Sequence, residues 1–204
     1  MTFARRLASQ LARPSGTAGR LLGNAMDIVN RRPLCLAVDM LAPLAGESIL
    51  DAGCGTGAAM AEMLGRAPCH VIGVDASETM VAAARRRLGT RAECVRASLE
   101  DLPFAPVSFD AVLALNVLYF NDDDNGMLRA LHRVLRPGGR LIAYVTHCDT
   151  MQDWPFANEG LHRLYDAVAL REALLTSGFA CTPHDVHEVA VARSVKGLFV
   201  HAVR

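Results

Sequence analysis

Short apolar runs alternate with helical patterns along the middle of the chain. The apolar runs predict strands at about 48–53, 70–75, 92–97, 109–115 and 139–146. Apolar residues at helical spacing predict helices at about 57–66, 77–88 and 122–135. This alternation indicates an α/β fold: a parallel sheet with right-handed crossovers and helices on both faces. In such sheets ligands bind at the carboxyl ends of the strands.

The two ends of the chain follow other patterns. Residues 1–32 carry six Arg and one acidic residue, and Phe3, Leu7 and Leu11 fall on one face of a short helix. A helix at about 33–44 leads into the first strand. After Thr146 we expect a loop at 147–160, a helix at about 166–177, and extended runs at about 181–191 and 197–203.

The stretch from Ile49 to Gly57 carries the first candidate chemistry. Two apolar residues lead to Asp51 at the end of a strand, and Gly53, Cys54 and Gly55 follow in a small-residue turn before a helix. Glycine permits sharp turns and close approach of a ligand, and free N–H groups at a helix start can face that ligand. The carboxylate of Asp51 suits a cationic group or several hydroxyls.

A second acidic residue strengthens this interpretation. Asp75 ends the next apolar run, eighteen residues after Gly57. An acid at the tip of the second strand of a βαβ unit is placed to accept hydrogen bonds from ribose hydroxyls. The two stretches together indicate an adenosine-containing cofactor, although a surface Asp beside an unrelated glycine turn is the simpler alternative.

The position of Asp51 bears on which cofactor this is. The turn fits the dinucleotide pattern only if Ala58 takes the last glycine place, and Asp51 would repel a pyrophosphate. It would attract a positively charged amino-acid moiety. The G-x-G-x-G spacing resembles motif I of the class I S-adenosylmethionine-dependent methyltransferases.

The resemblance extends over most of the chain and is nearest to the type 11, or UbiE-like, small-molecule methyltransferases. Four more segments are similar to motifs of that family: 74–80, 98–104, 108–114 and 135–141. One position departs, because Ser98 stands where the family usually has Asp. The resemblance implies a Rossmann-like, mostly parallel seven-stranded sheet, closed by a C-terminal antiparallel hairpin.

The resemblance also implies residue roles. The amino-acid part of the cofactor would lie against Asp51, Gly53, Cys54 and Gly55, and the ribose against Asp75. The remaining cofactor contacts would be to the adenine and to the methionine part: Ala76, Met80, Ser98, Leu99, Glu100, Asn116 and Val117. If the acceptor must lose a proton, His147 and Tyr119 are the candidate bases. Tyr119, Phe120, Trp154 and Phe156 are candidate walls of an apolar acceptor pocket.

Residues 1–32 allow three interpretations. An Arg-rich, acid-poor segment suits a transit peptide, and an amphipathic helix suits a membrane surface. The P-x-G-x-x-G pattern from Pro14 to Gly19 resembles a leader of some small bacterial methyltransferases that folds over the pocket. We favour the third: a helical lid at 1–32 on a single cofactor-binding domain at 33–204.

The composition and one motif limit the kinds of binding partner that we expect. The 21 basic and 21 acidic residues balance, which gives no electrostatic reason to expect nucleic acid. Strand four is followed by Asn116-Val117-Leu118-Tyr119, not by the N-P-P-Y-like tetrapeptide of base-amine methyltransferases. No stretch approaches ~20 uninterrupted apolar residues, so we expect no membrane insertion. We expect a cytoplasmic, bacterial protein.

The sequence predicts no metal site. The six cysteines form no C-x-x-C pair and read as buried reduced thiols. His184 and His187 are the close His pair, and their context predicts no ligand cluster.

The predicted reaction is transfer of a methyl group from S-adenosylmethionine to a small molecule, with S-adenosylhomocysteine as product. One alternative is a nicotinamide-dependent oxidoreductase, although the sole lysine, Lys196, has no Tyr four residues before it. The other is a non-catalytic cofactor-binding protein of the same fold. The acceptor's identity, its reacting atom and the oligomeric state are left open.

Overall fold

Seven strands form one mixed sheet at the centre of the molecule. The computed structural model describes residues 2–204, and the strands follow the order β3-β2-β1-β4-β5-β7-β6. They are β1 (Ser48–Ala52), β2 (His70–Asp75), β3 (Glu93–Arg96), β4 (Phe109–Leu115), β5 (Leu135–Thr146), β6 (Val186–Ala192) and β7 (Val195–Val203). The first five pair in parallel, and β7 pairs antiparallel with both β5 and β6. The predicted fold class is confirmed.

Helices cover both faces of the sheet. They are α1 (Phe3–Ala12), α2 (Gly16–Val29), α3 (Arg31–Leu41), α4 (Ala58–Arg66), α5 (Glu78–Leu88), α6 (Gly126–Val134), α7 (Cys148–Met151) and α8 (Ala167–Thr176). Side chains alternate between the faces of a strand. Ile49 accordingly packs in one apolar cluster with α3, α4 and α5, and Leu50 in the other with α6 and α8. Both residues are fully buried, so β1 lies at the centre of the core.

Three predicted boundaries were wrong by four residues or more, and one of them is the start of β5 at Leu135 rather than 139. Helix α6 begins at Gly126, not 122, because Asn125 adopts φ 58° and the Asp122 carboxylate accepts the Gly126 N–H at 2.6 Å. Strand β6 begins at Val186, not 181, because Pro183–Asp185 forms a 3₁₀ turn. Thr182 and Asp185 bond to each other across that turn. Pro183 also lacks the N–H that a strand would use.

The two N-terminal helices lie beside the carboxyl ends of the strands. The N–H of Gly16 donates to the Thr79 hydroxyl at 3.2 Å, and the Ser77 hydroxyl donates to the Pro14 carbonyl. Both contacts join the N-terminal segment to the start of α5. Across residues 2–204, none of the helices combines the length and the apolar character needed to span a membrane.

Candidate functional site

A cavity of about 340 Å³ opens where β1, β2 and β4 end. Tyr119 lines this cavity. So do all twelve residues that are expected to contact the cofactor: Asp51, Gly53, Cys54, Gly55, Asp75, Ala76, Met80, Ser98, Leu99, Glu100, Asn116 and Val117. They come from distant parts of the chain. The parallel strands bring them together because their carboxyl ends meet at one edge of the sheet.

The glycine turn has little room for side chains on the protein side. Gly53 has φ 78°, and a Cβ built there would lie 2.0 Å from Val117 Cγ1. Gly55 has φ 50° and lines the cavity, and a Cβ there would meet nothing within 4 Å. The turn is therefore packed tightly against Val117, just after β4, on one side and open on the other.

Part of the turn's backbone is already used by the fold. The N–H groups of Gly53 and Cys54 both donate to the Val74 carbonyl, at 2.8 and 2.9 Å. The N–H groups of these two residues are therefore not free for a ligand; the expectation of free N–H groups concerned the start of α4, at Ala58. Because these bonds tie the turn to the end of β2, they set where Asp51 and Asp75 lie relative to each other.

Asp51 is a buried acid with an unpaired oxygen. The residue is 2% exposed, and its Oδ2 atom has no hydrogen-bond partner among the described residues. Burial raises the pKa of Asp51 to about 7, and the nearby charge of Asp75 adds to the shift. A buried carboxylate without a partner is costly. A cationic group in the cavity would relieve that cost.

Asp75 is held by the backbone on both of its oxygens. Oδ2 accepts the N–H of Gly55 at 3.0 Å, and Oδ1 accepts the N–H of Ser77 at 2.8 Å. Burial raises the pKa of Asp75, and these two bonds oppose the rise. A carboxylate oxygen has more than one lone pair, so each can accept another bond from a ribose hydroxyl.

Tyr119 and Asn116 form a hydrogen-bonded pair in the wall of the cavity. Asn116 adopts φ 56°, an uncommon conformation for a residue other than glycine. The Tyr119 hydroxyl donates to Asn116 Oδ1 at 3.2 Å and accepts the N–H of Thr146. Burial raises the pKa of Tyr119 further above its usual value. The hydroxyl is therefore a positioning group, and this geometry gives no support to Tyr119 as a base.

His147 is not among the cavity-lining residues. It is buried, its Nδ1 accepts the N–H of Asp149 at 3.1 Å, and its Nε2 lies 3.6 Å from Glu188. The ligand atoms of His147, Cys148 and Asp149 lie within 4.8 Å of one another, but Lys196 already pairs with Asp149 and Glu188. The structure places His147 as the N-cap of α7 and outside the cavity lining, which does not favour it as a base.

The N-terminal helices supply a wall of the cavity, with Gln10, Leu11, Ala12, Pro14, Leu22, Gly23, Met26, Asp27 and Asn30 as its lining residues. Gly23 allows α2 to approach closely, because a Cβ there would lie 3.0 Å from Thr56 and 3.1 Å from Met80. The sequence pattern indicated the Pro14–Gly19 leader. It carried no signal for Asp27, whose partners lie far along the chain.

His162 is a cavity residue that sequence reasoning missed. Its ring lies 6.1 Å from the Tyr119 ring, 5.1 Å from Phe120 and 5.6 Å from Phe156, between centroids. Of the four aromatic residues expected in an acceptor pocket, Tyr119 and Phe120 line the cavity. Phe156 and Trp154 are not among the lining residues; Phe156 contacts His162, and Trp154 lies against Phe156. A lone His in an irregular segment has no spacing that would reveal it.

The sequence matches known methyltransferases. Residues 50–143 match the Methyltransf_11 family model, described as a methyltransferase domain. A demethylmenaquinone methyltransferase of Clavibacter sepedonicus is 44% identical over 104 residues, which are 50% of this chain and 42% of that protein. The O-methyltransferase resE of Aspergillus sclerotiorum is 31% identical over 154 residues, 68% of this chain and 57% of that protein. The chain thus spans about half the length of these curated relatives.

A solved structure shares the fold. An S-adenosylmethionine-dependent methyltransferase from Mesorhizobium loti superposes with a TM-score of 0.71, over 83% of this chain and 96% of that one. Its sequence is 23% identical, so this likeness concerns the fold alone. The family model over residues 50–143, the named relatives and the seven-stranded sheet together support a class I S-adenosylmethionine-dependent methyltransferase.

Proposed function

We propose that this protein transfers a methyl group from S-adenosylmethionine to a small-molecule acceptor. The observation that carries the proposal is Asp51, a buried carboxylate in the cavity wall with one unpaired oxygen. The amino-acid part of S-adenosylmethionine carries an ammonium group that would pair with it. A dinucleotide would instead bring its pyrophosphate near this charge, so the nicotinamide alternative is disfavoured.

The other cofactor contacts follow from the geometry of the cavity. Asp75 would accept from the ribose hydroxyls, and Ala76, Met80 and Leu99 would pack against the adenine. The Ser98 hydroxyl already accepts the Glu100 N–H at 3.3 Å. We therefore assign adenine-edge contacts to this short turn as a whole rather than to the Ser98 hydroxyl.

When bound, S-adenosylmethionine supplies an electrophilic methyl group on a sulfonium centre. The residues of this chain would act by holding both partners close and by keeping water out, because charge disappears as the methyl moves. Val117 packs against Gly53 where the turn approaches β4, and would help to fix the methionine part. The aromatic wall around Phe120 suits an apolar acceptor.

We also propose that the N-terminal helices are a lid over the cavity, as expected from the sequence. They line one wall, and Asp27 on α2 bonds to Thr56 in the glycine turn. A lid would exclude water from the reactive sulfonium. The names of the relatives support an acceptor that is a small molecule, and a cytoplasmic location stays a prediction.

Isothermal titration with two ligands tests the cofactor assignment. S-adenosylhomocysteine carries the amino-acid part, whereas 5′-methylthioadenosine has the adenosine and sulfur without it. We expect Asp51→Asn to weaken S-adenosylhomocysteine about 10-fold or more and to leave methylthioadenosine within about 2-fold. Asp75→Asn should weaken both ligands. Asp153→Asn, an exposed acid outside the cavity, is the matched control.

Three results would count against the proposal. Binding of NAD⁺ without S-adenosylhomocysteine would indicate the oxidoreductase alternative. If Asp51→Asn weakened the binding of both adenosine ligands equally, Asp51 would not be the contact to the ammonium group. Cofactor binding with no methyl transfer to any of a panel of phenols, quinols and amines would favour the non-catalytic alternative.

A further inference from the structure

The aromatic side of the cavity contains a buried imidazole nitrogen with no partner. His162 lines the cavity, and its Nδ1 atom is buried without a hydrogen bond to any described residue. An unpartnered buried polar atom in a native fold calls for an explanation. A ligand group that hydrogen-bonds to the ring would provide one.

The surroundings of His162 are apolar on several sides. Tyr119, Phe120 and Phe156 place their rings around it, with centroids 5.1–6.1 Å away. Phe156 comes from the same irregular segment as His162, whereas Tyr119 and Phe120 follow β4, so tertiary structure supplies two of the three rings. Stacked and edge-on aromatic walls suit a flat, conjugated ligand.

The charged and titratable groups near His162 are bonded to other residues and not to its imidazole ring. The neighbouring Arg163 donates to the Asp122 carbonyl at 3.2 Å and to Asn125 Oδ1 at 2.9 Å. The Tyr119 hydroxyl is bonded to Asn116 and Thr146. Burial lowers the pKa of His162, which keeps the ring neutral and able to accept a proton at neutral pH.

We propose that His162 is the catalytic base of this site and that the acceptor is a hydroxylated aromatic compound, methylated on oxygen. This inference rests on the proposed function. The O–H bond of the acceptor breaks, and its proton moves to the imidazole. The phenolate oxygen forms a bond to the methyl carbon as the carbon–sulfur bond breaks, with its electron pair kept by sulfur. The imidazolium then loses its proton to solvent.

The test separates cofactor binding from acceptor ionisation. The probe is 4-nitrophenol, whose anion absorbs visible light, added to protein saturated with S-adenosylhomocysteine. Wild type should bind it as the phenolate at a pH below the probe's own pKa. His162→Gln keeps a polar side chain without a basic nitrogen and should show at least 10-fold less bound phenolate, with S-adenosylhomocysteine affinity unchanged within about 2-fold. His184→Gln, an exposed histidine outside the cavity, is the control.

Turnover gives a second readout. With a phenol acceptor at pH 7, His162→Gln should lower kcat by about 10²–10⁴-fold and change KM little. The loss should shrink as the pH rises toward the acceptor's pKa, since the acceptor then ionises by itself. A merely structural role would lower kcat equally at every pH.

Each remaining outcome counts either against the proposed function or against the assignment of His162. If wild type does not bind S-adenosylhomocysteine, the proposed function itself fails. If the cofactor product binds but 4-nitrophenol does not, or if the probe is equally ionised in wild type and His162→Gln, the assignment of His162 and of a phenolic acceptor is overturned.

Discussion

The Thr56 hydroxyl donates to the carboxylate of Asp27, with its oxygen 2.8 and 2.7 Å from the two carboxylate oxygens. Arg87 donates to both partners, to Thr56 at 2.8 Å and to Asp27 at 2.7 Å. Thr56 lies in the glycine turn, Asp27 on α2 and Arg87 near the end of α5. This three-residue latch joins the N-terminal wall of the cavity to the elements that would hold the cofactor.

Breaking the latch should loosen the N-terminal helices without unfolding the domain. Asp27→Ala removes a charge-assisted pair that is partly exposed, worth about 1 kcal/mol. We expect amide exchange across residues 16–29 to speed up about 5-fold, and S-adenosylhomocysteine to dissociate faster. Hydrogen exchange followed by mass spectrometry measures the first effect.

A matched control exists on the neighbouring helix. Asp39 pairs with Arg66 on the exposed surface, so Asp39→Ala removes an Asp–Arg pair that includes none of the three latch residues. Unchanged exchange in Asp27→Ala, or an equal change in both variants, would mean that the latch does not hold the lid.

Gly53 should tolerate no side chain. Gly53→Ala places a Cβ 2.0 Å from Val117 Cγ1 at φ 78°, so it carries both a clash and backbone strain. We expect a loss of about 3 kcal/mol or more in the free energy of unfolding, measured with urea. Gly46→Ala is the control, because its φ is 80° with nothing within 4 Å, and it should lose only about 1 kcal/mol. In the Gly53→Ala variant, but not in the Gly46→Ala control, adding Val117→Ala should restore the part of the lost stability that comes from the clash. The absence of such a recovery would refute the close contact.

The stability of the protein should depend on Asp51 in a definite direction. Burial raises the pKa of Asp51 from its ordinary value of 3.8 to about 7 in the folded protein, so the folded state binds more protons between these values. The free energy of unfolding should therefore fall as the pH rises through this window. Asp51→Asn removes that dependence.

The expected consequence is that Asp51→Asn is more stable than wild type above pH 7, by up to about 4 kcal/mol, and similar near pH 4. Thermal unfolding across this pH range measures it, with Asp153→Asn as an exposed control. A wild-type advantage at high pH would show that the carboxylate has a partner in the folded protein.

Tyr119→Phe should cost stability rather than base catalysis. The change leaves Asn116 Oδ1 and the Thr146 N–H without their partner, which should cost about 1–2 kcal/mol. The pH dependence of turnover should keep its wild-type shape. Tyr165→Phe, whose hydroxyl has one contact at 3.5 Å, is the control and should cost less. If turnover in Tyr119→Phe lost its rise with increasing pH, Tyr119 would be restored as a base.

The cofactor side of the cavity could be predicted from the sequence because its signals are local. A glycine turn after an apolar run and an acid ending the next run each mark the carboxyl end of a strand. Parallel strands bring such ends to one edge of the sheet, so spacing along the chain becomes nearness in space. Asp51 and Asp75 were found for this reason.

On the opposite, aromatic side of the cavity, tertiary structure decides which side chains line the wall, so the sequence could not predict them. His147 directly follows a strand, yet it turns away to cap α7, whereas His162 follows an irregular segment and reaches the cavity. Nothing in the sequence distinguishes these two histidines, because loop conformation follows from contacts with distant residues. Trp154 and Phe156 have the right chemistry, but neither lines the cavity.

The sequence by itself determined the α/β fold, the strand ends and the acids that meet there, since apolar periodicity and glycine turns act through local geometry. Only the tertiary structure decided how Asp27 reaches Thr56 and Arg87, and which histidine is enclosed by aromatic rings. The contacts of Asp27 join residues 29 and 60 positions apart, and packing of whole helices against the sheet sets them.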